Sequence, residues 1–299
     1  MSARLAGSLQ ALLRYPVKSM AGEALAVGRV LADHGVQGDR AFAVLDVATG
    51  RVASAKHPRR WGALLECRAS VVDALADGQR RGPVAITLPD GTAVRSDRDD
   101  VDRVLSIAFG RAVKLTDTPP PQATYDGTAD DDARGEPLAV GAGAGTFFDF
   151  APIHLVTTAS LARLAELRPT SCFDVARFRP NLVIDVPGGR GFVENDWLGH
   201  IIAIGADVRL CVTFPCPRCV MPTLAQGALA ADAEVLRTVA AHNRQMFALR
   251  ARSLPALGMY ATVLRGGTIR PGDPVRLAGR SPLQRVAAFV RAIKRAVRR

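Results

Sequence analysis

This 299-residue chain has no apolar run long enough to cross a bilayer, and no small-residue cleavage site follows its first apolar stretch. Met1-Ser2-Ala3-Arg4 leads into a segment interrupted by Gly7, Ser8 and Gln10, which reaches Arg14 and then Tyr15-Pro16-Val17. That pattern reads as a first strand rather than a signal peptide. Cysteine is sparse and odd in number, so a disulfide framework is excluded and a reducing compartment, the cytoplasm, is expected. No second thiol pair complements Cys216 and Cys219: Cys67 and Cys172 are isolated, and His34, His57, His154, His200 and His242 are scattered. Structural zinc lacks its ligand spacing. The sequence has no internal repeat, and its GAGAG run at 141–145 lacks the strand-to-helix setting of a dinucleotide fingerprint, so it reads as a flexible turn. A broad basic face is missing too. The net charge is +11, but residues 280–299 hold seven Lys/Arg and no acid; +11 less +7 leaves +4 on the body. No nucleic-acid-binding motif accompanies it.

A hydrophobic content of 48% over this length provides for one large domain or two medium ones. Strand and hairpin signals dominate the first third. Residues 41–55 carry a Thr49-Gly50 turn between β-compatible arms, and residues 83–96 carry Pro89-Asp90-Gly91 between alternating runs. A helix is predicted over 101–111, after acids that suit a helix start. Residues 119–137, rich in Pro, Gly and Asp, form the best boundary or exposed loop. Beyond it the pattern predicts helices over 159–167 and 231–242, a strand region over 201–213, and paired strands around Gly266-Gly267.

Two clusters could carry chemistry. Cys216-Pro217-Arg218-Cys219 ends an apolar, β-branched run, and thiols there could bind a metal, exchange a disulfide or fill a core. Pro222 argues against the helix that a thioredoxin-type motif requires. Arg177-Phe178-Arg179-Pro180-Asn181 puts two arginines on what reads as an extended segment, pointing the same way, and a guanidinium fork suits phosphate. A surface ion pair with Asp174 or Asp185 is an equal alternative. Lys18-Ser19 and Gly38-Asp39-Arg40 stand at strand ends, where basic residues are ordinarily solvated.

Taken in order, Tyr15-Pro16-Val17-Lys18-Ser19, Gly38-Asp39-Arg40, Arg177 to Asn181, Asp196-Trp197-Leu198-Gly199, Cys216 to Cys219 and the run from Gly267 to Val275 form a specific set. It resembles the MOSC-domain proteins with their N-terminal β-barrel partner domain, a group that includes the mitochondrial amidoxime-reducing component and bacterial relatives. The resemblance runs from about residue 9 to residue 277. It implies a mainly β, α+β fold: an N-terminal barrel domain over 1–125, a linker over 126–137, a MOSC domain over 138–278 and a tail over 279–299. It also implies a molybdenum cofactor (molybdopterin) between the domains. Cys219 would be the catalytic thiolate ligand of the metal, and Lys18, Ser19, Arg40, Arg179, Asn181 and Thr223 would hold the pterin. Cys216 would be a neighbour only, and Cys216→Ala is expected to be mild.

This chain departs from the family in places. Pro222-Thr223 stands where amidoxime-reducing relatives have two threonines, and the residues after Val275 hold no Cys for the iron–sulfur domain that some bacterial relatives carry there, so electrons and sulfur are expected to come from a partner. The expected activity is reduction of N-hydroxylated or N/S-oxygenated small molecules with electrons from a separate donor protein. The alternative is a cofactor or sulfur carrier using Cys219; a third reading is a binding module with structural cysteines. The tail has a Ser281-Pro282 helix start, an apolar stripe (Leu283, Val286, Val290, Ile293, Val297) and basic faces. It is expected either to lie on an anionic membrane or acidic partner or to pack on the protein's own barrel.

Overall fold

The computed structural model describes residues 4–32, 34–120, 124–128, 137–141, 147–247 and 252–280. The fold is mainly β. Its first strand, Arg4–Arg14, buries Gly7 and Leu9 by simple alternation. A register shift between Leu9 and Ala11 then moves the next inward position to Leu12. Leu9 and Leu12 are fully buried, each contributing about 1.5–3 kcal/mol, in a core they share with Ile153, Leu155, Leu182, Ile184, Leu210 and Met259.

These residues line a closed barrel of seven strands. Arg4–Arg14 pairs on one side with Leu182–Asp185 and on the other with Pro274–Arg280. From there the order runs through His200–Ile204, Val208–Pro217, Arg252–Arg265 and Ile153–Thr157, which lies parallel to Leu182–Asp185 and closes the ring. The first strand therefore belongs to the barrel built otherwise from residues 153–280, and the expected division at 125 does not describe its sheet membership. Without it, two barrel strands would present open edges.

A second core gathers Val17, Met20, Val44, Trp61, Leu64, Cys67, Ile86 and Leu105. Around it lie the sheet Arg68–Val71, Val84–Thr87 and Ala93–Arg95, the ladder of Ala43–Asp46 with Val113–Thr116, and the helix Val101–Phe109. Cys67 belongs to this core, where burial pushes its thiol up to about 11.

Some local expectations change. The Thr49-Gly50 hairpin is present, its arms joined by the Leu45–Val52 bridge and by the Asp46 amide donating to the Arg51 carbonyl and the Ala53 amide to the Val44 carbonyl, and Ala43–Asp46 makes its longer ladder with Val113–Thr116. Within the expected linker, backbone Thr124–Thr128 pairs with Pro137–Gly141. Gly266 does not turn a hairpin. A Cβ there would meet the Val30 carbonyl oxygen at 2.4 Å, and Gly267–Ile269 leaves the barrel to pair with Gly28–Leu31. The GAGAG residues 142–145 and the whole expected tail helix lie outside the described residues. No described helix is long and apolar enough to cross a membrane.

Candidate functional site between the two β-rich parts

Among the described residues, three non-glycine residues hold a left-handed backbone: Ser19 at φ 66°, Arg40 at 46° and Arg179 at 54°. Such a conformation costs an L-residue about 1–2 kcal/mol and persists where its surroundings enforce it, often at ligand sites. All three are positions that the sequence resemblance assigns to the cofactor. Ser19 Oγ accepts from the Ala55 amide at 3.2 Å. The Arg40 amide donates to the Tyr15 carbonyl at 2.7 Å, and the Arg179 amide to the Val175 carbonyl at 3.1 Å.

The two arginines at 177 and 179 are not on an extended segment. Asp174 caps a one-turn helix, Val175–Phe178, by accepting from the Ala176 amide at 2.7 Å. Arg177 is on that turn and Arg179 is its left-handed cap, so their side chains diverge. Neither pairs with Asp174 or Asp185 among the described residues. Arg177 is 2% exposed and donates to the carbonyls of Cys172, Pro222, Leu224 and Ala230. It holds the loop that follows Cys219. Arg179 turns the other way, its guanidinium 4.4 Å from the centroid of the Tyr15 ring.

Arg40 lies over the same ring at 4.9 Å and donates to Asn181 Oδ1 (3.3 Å) and to the Arg179 carbonyl (3.2 Å). Fully buried Asp39 orients it, accepting from Arg40 Nη1 with one oxygen and from the Tyr15 amide, at 2.7 Å, with the other. Burial opposes the charge on Arg40, but Asp39 outweighs it and the pKa rises. The Arg179 side chain has no such partner. It makes no hydrogen bond or ion pair among the described residues, and burial lowers it from the usual 12.5 to about 10. Burial also raises Tyr15 to about 12, despite the two guanidinium groups on its face.

Lys18 reaches across to the other part of the chain, donating to the Phe147 carbonyl (2.9 Å) and to Asp149 (2.6 Å). Lys56 meets the second Asp149 oxygen at 2.9 Å. Burial alone would raise the Asp149 carboxyl; Lys18 and Lys56 hold it well below the usual carboxylate range instead. Burial lowers Lys18 to about 8, with Asp149 opposing and Lys56 and Arg40 adding to the fall. These charges are near enough to act on one another, since Asp149 also bears on Arg40 and Arg179.

The two thiols of the 216–219 run face different surroundings. Cys216 is 2% exposed among Ala151, Phe214, Leu254 and Tyr260. Arg218 Nη1 donates to its sulfur at 3.0 Å, and Tyr260 packs in the same cluster. Half-buried Cys219 packs instead beside Ala55, Leu65 and Met221, on the side of Ser19. A disulfide between them would require the strand end to rebuild. Arg218 joins the two halves of the site, since Nη2 donates to the Phe178 carbonyl at 3.1 Å while buried Nε has no partner among the described residues. Cys216→Ala is therefore not the mild change expected from sequence. It leaves a buried guanidinium donor short of an acceptor, and a loss of about 1–3 kcal/mol is expected in urea unfolding. An unchanged midpoint would contradict this.

Two other assigned residues are engaged by the protein itself. Asn181 Oδ1 accepts from the His154 amide at 3.2 Å as well as from Arg40, and Nδ2 donates to the Leu13 carbonyl at 3.3 Å. Thr223 Oγ1 donates to the Val220 carbonyl at 2.7 Å. Sequence reasoning missed His154, which lies 5.5 Å from the Tyr260 ring and bonds the Leu257 carbonyl. Burial lowers it to about 3, so it is neutral near pH 7. Gly258 makes room for it: its φ is +76°, and a Cβ would meet His154 Nε2 at 2.5 Å. Tyr15, Asp39, Lys56, Asp149 and Arg218 were also not assigned roles; Tyr15, Asp39 and Arg218 stand inside the quoted motifs, while nothing in the sequence singles out Lys56 or Asp149.

Among the described residues, Lys18, Arg40, Lys56, Arg179 and Arg218 thus converge with Asp39 and Asp149 as their paired carboxylates, an excess of +3 within that set. The arrangement suits a polyanionic ligand reaching a soft sulfur at Cys219.

The family model described as the MOSC domain matches residues 142–276, and the one described as the MOSC N-terminal beta barrel domain matches residues 6–102. Mitochondrial amidoxime reducing component 2 of Rattus norvegicus is 34% identical over 130 residues, 42% of this chain and 37% of that protein. Mitochondrial amidoxime-reducing component 1 of Homo sapiens is 30% identical over 140 residues, 44% of this chain and 39% of that protein. The match spans less than two-fifths of each relative's length. The YUAD protein from Bacillus subtilis shares 12% identity at a TM-score of 0.45, covering 94% of this chain and 98% of that one.

Proposed function

Because this chain is a MOSC-domain protein with that family's N-terminal barrel domain, we propose that it binds the molybdenum cofactor and reduces N-hydroxylated or otherwise N- or S-oxygenated small molecules. A separate donor protein supplies the electrons. The observation that carries this reading is Arg179, a buried guanidinium without hydrogen bond or ion pair among the described residues, in a left-handed turn beside four other cations. A buried unpaired charge is expensive, and an anionic ligand would offset that cost. The orphaned Arg218 Nε and the half-buried Cys219 fit the same ligand. Resemblance to proteins named for amidoxime reduction supports the substrate class.

In this reading Arg179, Arg40, Lys18 and Lys56 hold the phosphate and polar edge of the pterin, with Ser19 and Thr223 at its margins, and Cys219 offers its thiolate to the metal. When bound, the cofactor supplies two-electron oxygen-atom chemistry at molybdenum. The overall reaction, R–NHOH + 2e⁻ + 2H⁺ → R–NH₂ + H₂O, needs two protons for each pair of electrons. Asp39 and Asn181 keep Arg40 on its target, and Arg177 and Arg218 fix the loop and strand end that flank Cys219. Neutral His154 packs behind Tyr260 and adds no charge.

Lys18 makes the binding pH-dependent. Its pKa in the ligand-free fold, about 8, is below its ordinary 10.5. Holding the charged form costs stability in full below about pH 8, and that cost is relieved as pH climbs from about 8 toward 10.5. A bound anion needs the charged form, so retention of cofactor should fall as pH rises through this window. Dialysis at pH 7 and pH 9.5 followed by cofactor assay checks it, and the difference should shrink in Lys18→Met. Equal retention at both pH values would contradict the role of Lys18.

The test of the function is turnover of an amidoxime by protein purified from molybdate-fed cells, with a reduced viologen as electron source. Turnover that is lost in Cys219→Ala with the fold intact supports the reading. A labile, substoichiometric cofactor with a persulfide on Cys219 would support a carrier instead.

A further inference from the structure

A second cationic site lies on the N-terminal part. A concavity of about 540 Å³ is lined by His57, Arg59, Arg60, Phe109, Gly110 and Arg111. That volume is in the range of small-molecule sites. Three guanidinium groups and an imidazole line it, with no carboxylate among the described lining residues.

Arg111 is built into place rather than floating. Its Nη2 pairs at 3.1 Å with Asp46, whose side chain is 1% exposed, and its guanidinium lies 4.9 Å from the centroid of the buried Trp61 ring. Phe109 meets Trp61 edge-on at 6.4 Å and adds an apolar wall. Buried Arg111 Nε and His57 Nδ1 have no hydrogen-bond partner among the described residues. Arg59, exposed on the short helix Pro58–Trp61, makes no ion pair among the described residues. At Gly110 the chain turns left-handed, φ 63°, and a Cβ there would meet nothing within 4 Å, so that edge is open. Asp46 is the carboxylate paired with Arg111, and it sits behind the guanidinium, leaving the lining positive.

We infer that this concavity binds a small phosphate-bearing anion, with Arg59 and Arg111 gripping its oxygens and Phe109 flanking any planar ring it carries. Guanidinium forks match phosphate oxygens, and a guanidinium fixed by a ring and a buried carboxylate loses little freedom on binding. Lys56, which contacts Asp149 at the first site, immediately precedes His57. The 56–61 segment therefore belongs to both sites.

Isothermal titration of the full chain with pyrophosphate and, separately, with AMP at low salt tests this. Wild type should bind both. Arg59→Glu and Arg111→Lys should each weaken binding by about tenfold or more; Arg111→Lys keeps a cation beside Asp46, so the fold is spared. Arg237→Glu, an exposed arginine on the helix Glu234–His242, should leave binding unchanged. Phe109→Leu should weaken AMP alone if a ring is part of the ligand; equal retention of both identifies a bare oxyanion as the ligand. Arg179→Met should keep this binding, which separates it from cofactor binding. No heat with wild type, equal loss in Arg237→Glu, or loss in Arg179→Met overturns the inference.

Discussion

Arg179→Met is expected to make the ligand-free protein more stable while removing its hold on the cofactor. The guanidinium is 8% exposed, unpaired among the described residues and held at a pKa of about 10. A depression of that size corresponds to roughly 3 kcal/mol of penalty on the charged form, and Met keeps the packing against Tyr15 without the charge. The penalty is present at every pH below about 10 and is relieved as pH climbs toward 12.5, so at pH 7 its removal should appear as a gain of about 1–3 kcal/mol in urea unfolding of cofactor-free protein. Cofactor retention should fall by about a hundredfold, in line with loss of a buried charge-assisted contact. A variant that is less stable and still retains cofactor would reverse both expectations.

The opposite pattern is expected at Arg177. That side chain serves four backbone carbonyls and no carboxylate, and three of the four belong to residues 222–230, the stretch after Cys219. Arg177→Ala strands these acceptors in a buried space. Each unsatisfied buried group costs about 1–3 kcal/mol before water enters, and a net loss of about 3–5 kcal/mol is expected. Arg177→Lys restores a point charge with a different geometry and should recover only part of it. The Cys219 loop should then be the first segment to gain amide hydrogen exchange. A loss below about 1 kcal/mol in Arg177→Ala, or exchange that rises elsewhere first, would remove Arg177 from this role.

The contrast between two arginines a residue apart shows where sequence reasoning stopped. Reading 177–181 as extended rested on Pro180, which disfavours a right-handed helix at Arg179. A left-handed residue satisfies that restriction equally well, and a helix of four residues is too short to leave a periodic signature. Barrel strands such as Val208–Pro217 and Arg252–Arg265 were legible, because β-branched and apolar runs bounded by turn residues report themselves locally. The place of Arg4–Arg14 was not, since its partners begin at Leu182 and Pro274. Within the site, Lys18, Arg40 and Arg179 were named through the ordered motif resemblance. Asp149 and His154 were not named, because each meets its partners across more than twenty residues of chain and carries no motif of its own, and Tyr15 was quoted in a motif without a role because Asp39, its partner, is 24 residues away. The Cys216 environment was misjudged for another reason: Arg218 is only two residues away, but its side chain turning back onto the sulfur is not a pattern that residue spacing reports.

The account stands most directly on whether this anion-seeking pocket and its sulfur hold a metal. Molybdenum content per chain, measured by mass spectrometry on protein from molybdate-fed cells, decides it. The expected result is about one molybdenum per wild-type chain and a near-total loss in Arg179→Met. Wild-type protein that is folded and metal-free under those conditions would contradict the account.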